Sequence, residues 1–160
     1  MQPHHTRIRL GIPTGPLRRD HRKIRDLLRE YDVLPPENDD RREWIFRELQ
    51  RLLVLHFTLE EEIVYPAVHR MGTEQAMDSV EEARWGHRLV RYLLDEMDQL
   101  DPREPGFDSK MAILRLNVEQ YVATEERTLL AEVRRMSAEL QQSIQSQLEE
   151  RREQLLRSEE

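Results

Sequence analysis

The strongest constraint on the fold is a spacing. Four stretches of the chain place apolar residues three and four apart, which is one face of a helix, and runs of alternating Val, Ile and Thr that would signal strands are absent. The first stripe holds Leu17, Ile24, Leu28 and Tyr31; the second Ile45, Leu49, Leu52 and Ile63. The third holds Val80, Ala83, Val90, Leu94 and Met97; the fourth Leu114, Val118 and Leu129. Pro and Gly punctuate the stripes. Thr14-Gly15-Pro16 opens a helix reaching about Tyr31, and Pro35-Pro36 with Asn38-Asp39-Asp40 separates it from a second, from about Asp40 towards Tyr65, which Pro66 must end or kink. Gly72-Thr73 opens a third, ending before Asp101-Pro102, and Pro105-Gly106 leads to Asp108 as the cap of a fourth. Beyond Met136, Ser137 caps a fifth, very polar helix reaching about Leu156, unless the fourth simply continues. Four long helices with short connections predict an all-α, up-down-up-down four-helix bundle over residues 16–136. A lead-in over 1–15 and a polar C-terminal helical extension over 137–160 flank it.

Composition narrows the function. The chain has 160 residues, enough for one core, with 36% charged residues and a net charge of −7. An acidic chain of this kind is poorly suited to phosphate backbones, so nucleic acid is not an expected partner. There is no cysteine, which excludes disulfides, zinc-thiolate sites and thiol catalysis. No stretch approaches the roughly 20 apolar residues of a membrane span, and Met1 to Gly11 has no apolar signal region, so a cytoplasmic protein without a membrane partner is expected.

The stripes are interrupted at matching places. Asp20-His21-Arg22-Lys23-Ile24-Arg25-Asp26-Leu27-Leu28 parallels Gly86-His87-Arg88-Leu89-Val90-Arg91-Tyr92-Leu93-Leu94, and His56 with Glu60-Glu61 parallels Tyr121 with Glu125-Glu126. The interval from His21 to His56 is 35 residues and that from His87 to Tyr121 is 34. Two related helical hairpins paired about a pseudo-two-fold axis would bring these positions together. His21, His56, Glu60, His87, Tyr121 and Glu125 thus point inward. A buried hydroxyl or amide-like group without a partner costs about 2–7 kcal/mol, and an isolated carboxylate far more. No Lys or Arg lies on the stripes to neutralise Glu60 and Glu125, whereas a cation held by imidazoles and carboxylates resolves the conflict. His and Glu at i and i+4 share a face and reach one cluster. Tyr121 is open to two roles, metal ligand or core tyrosine that hydrogen-bonds a ligand. Glu61, Glu62 and Glu126 are expected to be solvated or to support the ligands from behind, and His4, His5 and His69 to lie on the surface.

These residues resemble the hemerythrin-like, HHE cation-binding domains over roughly residues 16 to 136. The marks are an isolated His (His21), then His-x-x-x-Glu in the run His56-Phe57-Thr58-Leu59-Glu60-Glu61-Glu62-Ile63-Val64-Tyr65-Pro66, then a second isolated His (His87). The family's fourth helix carries another His-x-x-x-Glu; here Tyr121 stands in place of that His, Glu125 is kept, and Ala131 stands where a Pro matching Pro66 often follows. The resemblance implies two irons, bridged by Glu60 and Glu125, with His21 and His56 on one and His87 on the other. Tyr121 either gives a phenolate to the second iron or leaves that place empty, which makes a single-iron site the alternative. Manganese and zinc remain open.

Imidazole and carboxylate ligands suit iron, and open positions on it take O2, peroxide or nitric oxide. A phenolate favours the ferric state, so Tyr121 as a ligand would turn the centre from reversible O2 carriage towards redox sensing or peroxide turnover, a peroxidase-like, catalase-like or oxidase chemistry. Two other readings stand beside this one: a biosynthetic iron oxidase or oxygenase acting on a small organic substrate, and a metal-depleted helical interaction module. The extension carries Leu140, Ile144, Leu148 and Leu155 at near-helical spacing, which would pack on its own bundle or mediate self-association.

Overall fold

The computed structural model describes residues 14–159. His4, His5 and most of the expected lead-in lie outside the described residues. The chain forms α1 (Gly15–Val33), α2 (Asp39–Leu59), a π-helical turn (Glu60–Val64), α3 (Tyr65–His69), α4 (Glu74–Asp98), α5 (Pro105–Arg127), α6 (Leu129–Arg135) and α7 (Ala138–Ser158). It is an all-α, up-down-up-down bundle: α1 packs on α2, α4 on α5, and the two hairpins meet through α1 with α5 and through α3 with α4 and α6. None of the described helices is long and apolar enough to cross a membrane.

Local chemistry sets the helix ends. Pro16 sits in the first turn of α1, where its missing N–H is no loss. Gly72 turns the chain into α4 with a φ of +71°, a left-handed conformation that favours glycine, and the Thr73 hydroxyl then accepts from the Ala76 N–H at 3.1 Å. Ser137 caps α7 by accepting from Leu140 N–H at 3.3 Å, so α7 is a separate helix. The expected cap of the fourth helix is displaced: Glu104 takes that position with Pro105 following it. Asp108 lies one turn further in, where its carboxylate accepts from the Tyr31 hydroxyl at 2.8 Å and from Arg42.

Two departures concern how the second and fourth helices end. Pro66 does not stop the second helix. The backbone widens over Glu60–Val64, the Tyr65 N–H reaches back to Glu60 O, and helical structure resumes to His69 with Pro66 in the first turn of α3. A π turn holds one residue more than an α turn, so the inward line after Glu60 passes to Val64 and Tyr65, both buried, while Ile63 is only half-buried. The fourth helix, by contrast, breaks at Thr128 (φ −108°, ψ −80°), whose hydroxyl bonds back to Thr124 O at 3.0 Å, and then stops at Arg135.

The apolar core comes in two clusters. One contains Ile24, Leu28, Leu49, Phe57, Val90, Leu94, Phe107 and Val118; the other Leu17, Leu55, Leu59, Tyr65, Val80, Leu129 and Val133. Along each long helix the polar stripe residues fall between them. The extension adds to the second cluster: Ile144 and Leu148 are buried against it and Leu155 packs at its edge, whereas Leu140 remains exposed.

Candidate metal centre

Six polar side chains meet in the layer between the two clusters: His21 from α1, His56 from α2, Glu60 from the π turn, His87 from α4, and Tyr121 and Glu125 from α5. All the inward polar positions read from the sequence are therefore brought together. Helical geometry explains the pairing, because His56 with Glu60, and Tyr121 with Glu125, stand one turn apart on one face.

The cluster has two halves that share Glu60. On one side His21 Nε2 lies 3.1 Å from His56 Nε2 and 3.1 Å from Glu125 Oε2, and His56 Nε2 lies 3.1 Å from Glu60 Oε1. One ligand atom from each of these four residues falls within 4.8 Å of the others. On the other side the Tyr121 hydroxyl donates to Glu60 Oε2 at 2.6 Å, and His87 Nε2 lies 2.9 Å from that same oxygen and 2.9 Å from the hydroxyl. Glu60 thus presents one oxygen to each half.

Each imidazole is held from behind. His21 Nδ1 faces Glu126 Oε1 at 3.0 Å, His56 Nδ1 faces Asp20 Oδ2 at 3.3 Å, and His87 Nδ1 faces Glu61 Oε1 at 2.8 Å. An Nδ1–H donated to a carboxylate fixes the ring and leaves the Nε2 lone pair free, the arrangement of metal-ligating histidines. With each ring carrying its one proton on Nδ1, the four-residue half would be a set of acceptors without a donor. Glu60 Oε1 and Glu125 Oε1 are buried and have no hydrogen-bond partner among the described residues. Such a site fits a cation.

The electrostatics agree. Burial opposes charge on His56, but the charge of Glu60 and contacts with Asp20, Glu125 and Glu60 outweigh it and hold the imidazole pKa well above its ordinary value. Burial likewise opposes charge on His87, and Glu60 and Glu61 raise its pKa against that opposition. Burial would raise the Glu60 pKa, yet the charge on His56 and the bonds around it hold Glu60 well below the usual range. Glu125 goes the other way: burial and the neighbouring Glu60 charge push its pKa up. Without a metal, these shifts favour protons on His56, His87 and Glu125, which balance charge that a metal would balance. Burial and the two carboxylates also push Tyr121 well above its ordinary pKa, so without a metal it stays a phenol.

The second half is walled by aromatic rings. His87 stacks on Phe57 with centroids 3.9 Å apart and on Tyr65 at 5.4 Å, and Phe57 meets Tyr121 edge-on at 5.6 Å. Gly86 makes room for the phenol: a Cβ there would lie 2.8 Å from Tyr121 Cδ2. A cavity of about 180 Å³ between α4 and α5 reaches this point, bordered by Gly86, Tyr121, Thr124 and Glu125.

Glu61 and Glu126, expected to be solvated or supporting, support histidines, while Glu62 pairs with Arg151 of α7 at 2.6 Å and His69 is exposed. Asp20, Tyr65 and Gly86 belong to the site without having been singled out as site residues. A usable signal existed for two of them, since Asp20 and Gly86 occupy the same place in the repeat, each just before a histidine.

A helical bundle with a buried imidazole and carboxylate cluster between its hairpins is suited to holding a cation. The family model "Hemerythrin HHE cation binding domain" matches residues 13–133, and the chain belongs to that family. Among curated relatives, the uncharacterized protein Rv2633c of Mycobacterium tuberculosis is 28% identical over 114 residues, covering 71% of this chain and 67% of that protein. A DNA nickase of Nostoc is 28% identical over 123 residues, covering 74% of this chain but 32% of the nickase. Among solved structures, a hemerythrin HHE cation binding domain-containing protein from Mycobacterium kansasii, an Rv2633c homolog, superposes with a TM-score of 0.70 at 26% identity, covering 88% of this chain and 87% of the other.

Proposed function

We propose that this chain is a non-haem iron protein whose asymmetric centre holds two irons and reacts with O2, peroxide or nitric oxide. The observation that carries the reading is the orientation of three imidazoles, each held at Nδ1 by a carboxylate and aimed by Nε2 at a centre where Glu60 offers one oxygen to each half. His21, His56 and Glu125 would hold one iron and His87 and Tyr121 the other, with Glu60 offering one oxygen to each half. Imidazole and carboxylate donors inside a helical bundle suit iron pairs. When bound, the irons supply open coordination positions and one-electron chemistry. The protein does the rest. Tyr121 directs its hydroxyl proton at Glu60 Oε2, the acceptor 2.6 Å away, and would release that proton to solvent on becoming a ligand. Phe57 and Tyr65 both stack on His87, which is buried.

The cavity favours a small ligand over an organic substrate. Pockets for drug-sized molecules run to about 300–1,000 Å³, and the space beside Tyr121 is about 180 Å³. A larger hollow of about 350 Å³ further along α4 is bordered by Glu74, Asp78 and Glu132 and touches none of the six inward residues. A metal-depleted module would have no reason to keep buried carboxylate oxygens unpartnered. Peroxide disproportionation needs no outside reductant, and a phenolate ligand favours it over reversible O2 carriage.

Iron content after anaerobic loading and desalting tests the reading. We expect about two irons per chain, and oxygen release when hydrogen peroxide is added. One iron per chain would confine the centre to the His21 and His56 half, and none would overturn the proposal.

A further inference from the structure

The three carboxylates behind the histidines are themselves each met by an arginine. Glu126 faces Arg25 at 3.6 Å, and Glu61 accepts from Arg91 at 2.6 and 3.2 Å. In both cases the arginine comes from the histidine's own helix one turn on, Arg25 after His21 and Arg91 after His87. His56 cannot be served in this way, because the place one turn on is taken by Glu60. Its support comes from elsewhere. Asp20 is 1% exposed, and Arg152 of α7 meets it with both arms of the guanidinium, Nη1 donating to Oδ2 at 2.7 Å and Nη2 lying 2.6 Å from Oδ1. The fork geometry fixes the carboxylate plane, and the carboxylate in turn fixes the His56 ring. α7 lies beyond residues 13–133, the part of the chain that matches the family.

We propose that α7 is a working part of the metal centre, with Arg152 acting as the positioning residue that, through Asp20, holds His56 Nε2 towards the metal. Docking of α7 thereby sets the metal affinity of the His21 and His56 half. This inference rests on the metal-binding reading above. The neighbouring Arg151 provides the control. It also ties α7 to the bundle, pairing with both oxygens of Glu62 at 2.6 and 3.0 Å, but Glu62 touches no histidine. Loss of Arg151 reports on docking alone; loss of Arg152 reports on docking and on the line to His56.

The test compares Arg152→Gln, Arg151→Gln, Asp20→Asn and the Arg152→Gln/Asp20→Asn double variant by cobalt(II) titration in the visible. Supporting partners of metal ligands typically change affinity by about 10–100-fold. Arg152→Gln and Asp20→Asn are each expected to weaken cobalt binding by about 10-fold, the double variant no further, and Arg151→Gln to stay near the wild type. In the metal-free protein, the ¹⁵N resonances of the His56 ring should shift in Arg152→Gln and not in Arg151→Gln. Equal effects of the two arginines, or none for Arg152→Gln, would overturn the proposal. A wild-type chain that takes up no cobalt and no iron would overturn the metal reading instead, and the ring-nitrogen comparison would still decide whether Arg152 positions His56.

Discussion

On the α1–α2 side of the centre two imidazoles stand 3.1 Å apart and each rests on a carboxylate; on the α4–α5 side one imidazole faces a phenol and stacks with two aromatic rings. The residue before each isolated histidine shows why the halves differ. Asp20 and Gly86 hold the same place in the repeat. Asp20 reaches across to the far nitrogen of His56, while Gly86 leaves space for the ring of Tyr121. An imidazole has a second polar atom that must be satisfied in the core; a phenol has none, but it is longer and needs room. The two differences within the repeat are thus one: aspartate accompanies the histidine, and glycine accompanies the tyrosine.

Tyr121→Phe should have the largest effect, since it keeps the ring and removes the oxygen. The ferric protein is expected to lose a visible phenolate-to-iron absorption band, and iron content to fall from about two per chain towards one. An unchanged spectrum would make Tyr121 a hydrogen-bonding neighbour of Glu60 and leave the two halves more alike. Gly86→Ala comes next. With the Tyr121 ring in place the added methyl overpacks the helix contact, and denaturant unfolding of the metal-free protein should show a loss of about 1–3 kcal/mol. In a Tyr121→Ala background the same change should stabilise by about 0.5–1 kcal/mol, the ordinary advantage of alanine inside a helix. Equal effects in the two backgrounds would break the link between glycine and tyrosine. The smallest effect belongs to Phe57→Leu, which removes the ring stacked on His87. It should lower stability by about 0.5–1.5 kcal/mol beyond the lost area, and weaken cobalt binding at the second site while sparing the first. Equal weakening at both would mean that the aromatic wall serves the whole centre.

The inward residues were legible because burial makes polarity conspicuous. His21, His56, Glu60, His87, Tyr121 and Glu125 each interrupt an apolar stripe, and a stripe is a property of local spacing. Glu61 and Glu126, next to the inward glutamates, were within reach of the same reading, but the arginine that holds Asp20 was not, for the converse reason. Arg152 lies 132 residues from Asp20, on a helix whose polar face reads as solvated, and its partner is visible only once α7 is docked. The helix ends show the same divide. Ser137 acts through a neighbour three residues on and could be read in advance. Asp108 is engaged by Tyr31 and Arg42 from other helices while Glu104 takes the cap position, so local capping rules misplaced it. No spacing rule announces the break at Thr128 or the widening at Glu60.

The wide turn at Glu60–Val64 also bears on the length of the chain. A turn holding one residue more than the α period is a place where the helix carries slack. Removing one residue there would let the backbone close into a regular helix and leave Tyr65 one turn below Glu60, still against His87. Removing one residue between His56 and Glu60 would instead swing everything beyond it by about 100°, carrying the carboxylate and the tyrosine away from the centre together. The second helix is therefore rigid in its count from His56 to Glu60 and elastic just past it.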